Sequence, residues 1–79
     1  MCYVAKIEAN GTGFTLTVPD LPEVITEGST FRETLDMGKE AIFLTIEEYK
    51  KIGKVLPEPR SLLNLCKEDP TASYYCINF

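Results

Sequence analysis

FTLTVPDLPEVITEGSTFRETLDMGKEA, Phe14 to Ala41, holds two strand signals, a double-proline corner and a capped helix in one run. Phe14, Leu16 and Val18 alternate with Thr15 and Thr17, the period-2 pattern of a strand with one buried face. Pro19 ends that ladder because it has no N–H to donate. Pro22 restrains the chain before Val24 to Glu27 resumes an extended course, read as a third strand antiparallel to the second. Gly28 then releases the backbone. Thr30-Phe31-Arg32-Glu33 is a capping box, in which the Thr30 hydroxyl accepts from the Glu33 amide and the Glu33 carboxylate reaches back to the Thr30 amide. From there Phe31, Leu35, Gly38, Ile42, Ile46 and Tyr49 recur at intervals of three and four, a stripe able to lie across a sheet. Gly53, Pro57 and Pro59 stop it after about 23 residues. Gly38 inside a helix costs on the order of 1 kcal/mol relative to Ala, which close approach of helix to sheet would offset.

Outward from this stretch, Tyr3, Ala5 and Ile7 alternate with Val4, Lys6 and Glu8 as a first strand, and Asn10-Gly11 supplies turn chemistry for a hairpin into the second. After Pro59, Ser61 to Cys66 reads as one helical turn or irregular packing, and Asp69-Pro70 marks a turn. Ala72 to Phe79, rich in aromatic and β-favouring residues, is the fourth strand. Tyr75, Ile77 and Phe79 fall on one face. The long connection through a helix permits parallel pairing beside the first strand. The expected fold is α+β, a single domain over residues 1–79 in the order β-β-β-α-β, with a four-stranded mixed sheet covered mainly on one side by one long helix.

With 79 residues, only about 60% of the unfolded chain's surface can be buried, so association with a second copy or a partner would add stability. The net charge of −4 is unevenly placed: Glu8, Asp20, Glu23 and Glu27 occur with no Lys or Arg between Lys6 and Arg32. Such an acidic pole repels phosphate backbones, which argues against direct DNA or RNA binding, and attracts a basic protein. It is equally read as a solvated surface that keeps the domain soluble. Met37, Phe43 and Leu44 widen the apolar surface of the helix beyond its core stripe. Either the buried face is simply broad, or Phe43 and its neighbours are covered by another chain.

Three cysteines, Cys2, Cys66 and Cys76, without CxxC spacing and with no His anywhere, exclude a zinc site and fit reduced thiols in a cytoplasm. A Cys2–Cys76 bridge requires the terminal strands to be neighbours. No apolar run is long enough to span a membrane. Nucleophilic catalysis lacks a His base; Lys6 beside a hydroxyl is the one formal substitute. No catalytic, metal or cofactor residues are therefore expected.

Tyr3, Ala5, Ile7 and Glu8 (YxAxIE), the Val18 to Pro22 corner (VPDLP), the Ile25 to Thr30 turn (ITxGxT), Lys39 to Ala41 (KEA) and the LPEPRS segment that follows the helix resemble the HicB antitoxin family. The similarity runs from Tyr3 to Ser61. It implies a partly degraded ribonuclease H-like fold and a binding role: occlusion of a small basic HicA-type ribonuclease toxin. A working ribonuclease H site would need carboxylates from the first strand, first helix and fourth strand around two metal ions. The first strand is Val4, Ala5, Lys6 and Ile7 at its centre, and Ala72 to Phe79 has no acid. Glu33 and Glu40 remain and are accounted for by a cap and a balanced helix surface. The partner-binding candidates are Asp20, Glu23 and Glu27 for steering and Phe43 as an apolar anchor. Longer members continue into a DNA-binding segment absent from this sequence, so DNA binding by this chain alone is not expected. The alternative function is a self-associating interaction domain of the same fold with an unrelated partner.

Overall fold

The computed structural model describes residues 2–70 and 72–78. The chain runs β1 (Cys2–Ala9), β2 (Phe14–Val18), β3 (Leu21–Gly28), α1 (Phe31–Ile52), α2 (Leu62–Glu68) and β4 (Ser73–Asn78). Asn10 organises the β1–β2 loop: its Oδ1 accepts from the amides of Thr12 and Gly13, and Gly11 takes φ 90°. That value lies in the left-handed region a glycine enters without a Cβ clash.

Strand order is β3-β2-β1-β4, and every neighbouring pair is antiparallel. The sheet is therefore not mixed as expected, and the reason lies in the path after α1. The Tyr3 hydroxyl donates to the Pro57 carbonyl at 2.6 Å, bringing the chain to the end of the sheet where β1 begins. The chain then passes to the other face, where α2 packs against β4 and Asp69 meets Lys6 of β1 at 2.8 Å. Ser73 thus enters opposite Ile7, and β4 must return towards Cys2.

β3 also begins earlier than the expected Val24. Val18 pairs with Leu21 and Thr17 with Ile25, so Pro22, Glu23 and Val24 bulge without partners on β2. Pro22 is tolerated because β3 is an edge strand and its missing N–H breaks no ladder bond.

Tyr3, Ala5, Ile7, Leu16, Val18, Leu21, Val24 and Ile77 meet Ile42, Ile46 and Tyr49 of α1 in one buried cluster, with Phe31 and Leu35 packed against it. Full burial of one such aliphatic side chain contributes about 1.5–3 kcal/mol. Thr30 caps α1 through its hydroxyl, which accepts from the Glu33 amide at 3.1 Å. The Glu33 carboxylate accepts from the Ser29 hydroxyl at 2.8 Å instead of the expected Thr30 amide. Gly53 closes the helix at φ 69°. Gly38 is buried directly over Leu16, the expected close approach.

The opposite face is also partly covered, within the expectation of cover mainly on one side. Val4 and Leu65 are buried outside the main cluster, and the Tyr74 hydroxyl donates to the Asp69 carbonyl at 3.0 Å beside Lys6. A full short helix, N-capped by the Ser61 hydroxyl, stands where a single turn or irregular packing was expected. Cys2 and Cys76 are joined as a disulfide, Cα atoms 5.7 Å apart, and Cys66 is free; the expectation of three reduced thiols does not describe this state. Tyr75 and Ile77 share a face as expected, and Phe79 lies outside the described residues.

Candidate partner-binding surface

The four residues singled out in the sequence do not converge. Asp20, in the turn between β2 and β3, has a side chain only 9% exposed. Its Oδ2 accepts from the Arg60 amide at 2.8 Å and its Oδ1 from Arg60 Nε at 2.7 Å. Arg60 Nη1 continues to Glu68 at 3.1 Å. The hydrogen bond to Asp20 is the main cause that raises the Arg60 pKa above its ordinary value. Asp20 is thus spent on fastening the segment after α1 to the β2–β3 corner, and its charge is neutralised locally. Arg60 was not foreseen as its partner, because the two are 40 positions apart.

Glu23 stands in the β3 bulge and is exposed, but its Oε2 accepts from the Tyr49 hydroxyl at 2.8 Å. Glu27 is exposed on β3 directly opposite Thr15, and Thr15 is in turn opposite Glu8. The row Glu27-Thr15-Glu8 crosses the sheet on the face away from α1, since Leu16 and Thr26, one residue along, face the core side. Ile25 stands on that same outer face and is 65% exposed. The in-out alternation of Val24 and Ile25 carried that signal.

Phe43 lies on the other layer. Ile42 and Ile46 turn α1 towards the sheet, and at about 100° per residue Phe43 is rotated to the outside, 58% exposed. Leu44 is exposed to the same extent and Met37 is 40% exposed. Glu40 is three or four positions from all three, and Glu47 follows Phe43 and Leu44 at the same spacing. Phe43 therefore sits in an apolar patch among charges of both signs, Glu47 pairing with Lys50 at 3.8 Å, and among the described residues it stays 58% exposed.

Among the described residues, no three of His, Cys, Asp and Glu converge where a metal could be held. The hydrogen bond from Lys6 to Asp69 is the largest influence on Lys6 and raises its pKa, favouring the cationic amine. Glu33 is engaged with Ser29, and Glu40 belongs to the outer face of α1. No helix among the described residues is long and apolar enough to cross a membrane.

This arrangement of strands and helices is shared with known proteins. The family described as HicB_like antitoxin of bacterial toxin-antitoxin system matches residues 3–75. The chain belongs to that family. It is 34% identical over 59 residues to Antitoxin HicB 2 of Photorhabdus laumondii subsp. laumondii, covering 75% of this chain and 42% of that protein. Antitoxin HicB 1 of the same organism is 34% identical over 47 residues, covering 60% of this chain and 30% of the relative. The chain thus spans less than half the length of these curated relatives. The N-terminal domain of Burkholderia pseudomallei antitoxin HicB superposes with a TM-score of 0.85 at 22% identity, over 100% of this chain and 98% of that one. A chain of a HicA3 and HicB3 toxin-antitoxin complex superposes with a TM-score of 0.77 at 24% identity, covering 99% and 96%. These structural likenesses establish the HicB fold for this chain.

Proposed function

We propose that this HicB-family chain is the toxin-binding part of a type II antitoxin, acting in the cytoplasm by covering a small basic HicA-type ribonuclease. The observation that carries the reading is the outer face of α1. Phe43 and Leu44 stand exposed beside Met37, framed by Glu40 and Glu47, where a lone domain gains nothing from large apolar groups. An apolar anchor retains a partner by burial, and Glu23 and Glu27 steer a basic one; around Phe43 itself the charges are mixed, with Glu47 paired to Lys50 at 3.8 Å. Family membership supports this reading, and a structural neighbour is described as a HicA3 and HicB3 complex.

Phe43 is the anchor, with Glu40 and Glu47 as its rim. Glu23 and Glu27 contribute to the acidic field that steers, and Asp20 acts as a fold latch rather than a contact. The chain performs no reaction of its own in this scheme, and it binds neither DNA nor RNA directly. Self-association through the free edges of β3 or β4 is compatible with it and is read by light scattering.

The test is co-expression with a HicA-type toxin, sought first in the reading frame adjacent to this chain's gene. Restored growth and a co-purifying complex are expected, and Phe43→Glu with Leu44→Glu should abolish both while leaving the fold intact. Neither rescue nor complex with the unaltered chain would refute the proposal.

A further inference from the structure

We propose that Cys2 and Cys76 form a reversible thiol–disulfide site whose oxidation by a low-molecular-weight disulfide fastens the terminal strand β4 to β1. The site is made by the antiparallel register. Cys2 is opposite Asn78 and Cys76 opposite Val4, so the two cysteines are diagonal neighbours on one face of the same ladder. Their Cα atoms, 5.7 Å apart, fall within the roughly 4.4–6.8 Å range that a disulfide spans without backbone movement. Cys76 is exposed and Cys2 partly so, which leaves the pair open to a small reagent. Cys66 on α2 is the free thiol of the chain.

β4 is an edge strand whose single ladder neighbour is β1. In the reduced chain its attachment rests on that ladder, buried Ile77, the Tyr75 ring against Phe31 at 5.0 Å, the packing of α2 and the Tyr74–Asp69 bond. The bridge joins positions 74 apart, nearly the whole chain, and so removes a large share of the unfolded chain's freedom.

The chemistry is thiol–disulfide exchange. The Cys76 thiol loses its proton, and the thiolate attacks one sulfur of a disulfide such as oxidised glutathione, releasing one small thiolate that takes up a proton. The Cys2 thiolate then attacks the Cys76 sulfur of the mixed disulfide and releases the second. Two protein thiols and one small disulfide become one protein disulfide and two small thiols, and excess small thiol drives the reverse.

The whole chain is equilibrated in glutathione buffers stepped from reducing to oxidising, its free thiols are trapped with a maleimide, and the products are mapped by mass spectrometry and melted. The expected oxidised form keeps only Cys66 free, carries a Cys2–Cys76 cross-linked peptide and melts roughly 10 °C or more above the reduced form. Cys66→Ser should keep the bridge and the shift. Cys2→Ser and Cys76→Ser should lose both and melt like the reduced parent, which serves as reference should either variant fold poorly. A bridge to Cys66, bridging only between molecules, three free thiols in oxidising buffer, equal melting of the two forms, or a bridge that reducing glutathione does not open would each overturn the proposal.

Discussion

Gly38→Ala places one methyl group at the closest contact between helix and sheet. A Cβ at this position would stand 2.5 Å from Leu16 Cδ1, 3.0 Å from Cδ2 and 3.3 Å from Cγ. Leu16 is completely buried in the middle of the sheet, so it has no solvent to swing into. Overpacking of this kind costs about 1–3 kcal/mol, against about 1 kcal/mol gained when Ala replaces Gly inside a helix. The net expectation is a loss of up to about 2 kcal/mol, or a fall in melting midpoint of up to about 15 °C for a domain of this size. A second substitution isolates the cause. Leu16→Ala alone should destabilise by about 2–5 kcal/mol, but in that background the clash is gone and Gly38→Ala should now stabilise by about 1 kcal/mol. The assay is urea unfolding of the four proteins, read as a double-mutant cycle. If Gly38→Ala stabilises the parent chain, or the two changes simply add, helix and sheet do not touch at this point.

Asp20→Ala removes the acceptor of both Arg60 bonds and should cost about 1–2 kcal/mol. Faster amide exchange in residues 54–61 should accompany it; exchange unchanged there would refute the latch. Above pH 10 the fold should weaken. Tyr3 is raised above the usual phenol value chiefly by burial and then by Asp20, and Tyr74 chiefly by burial and then by Asp69. Lys6 is raised chiefly by its hydrogen bond to Asp69. In each case the unfolded chain gives up the proton first as pH climbs past about 10, so the folded state holds more protons and stability falls from there upward. Urea midpoints should be level from pH 7 to 9 as far as these groups are concerned and drop by pH 11. A midpoint as high at pH 11 as at pH 9 would count against these contacts.

The local pattern made most of the scaffold legible. Thr30 and Gly53 bracketed α1, the alternation of Tyr3, Ala5 and Ile7 set the core face of β1, and Gly38 announced a close approach. What escaped was non-local. The direction of β4 depends on the Tyr3–Pro57 bond and on α2 crossing to the second face, neither of which leaves a periodic trace. Pro22 read as a break because strand position in the sheet, edge or centre, is not written in its neighbours. The candidate surface was half legible: Phe43 stood out as an apolar residue off the core stripe, and the structure adds the arrangement of Met37, Leu44, Glu40 and Glu47 around it. Asp20 was misplaced among free charges because its cation, Arg60, arrives from beyond the helix. Glu27 and Phe43 were grouped by chemistry, yet the sheet separates them.

Calorimetric titration of the purified chain into a HicA-type toxin found beside its gene or co-purified with it, with Phe43→Glu alongside, tests the central claim most directly. The proposal predicts a defined complex with the unaltered chain. It also predicts at least about a 30-fold loss of affinity for the variant, the 2 kcal/mol or more expected of an anchor residue, with the isolated fold unchanged because Phe43 is exposed. No heat of binding from the unaltered chain, or equal affinity from both, would contradict it.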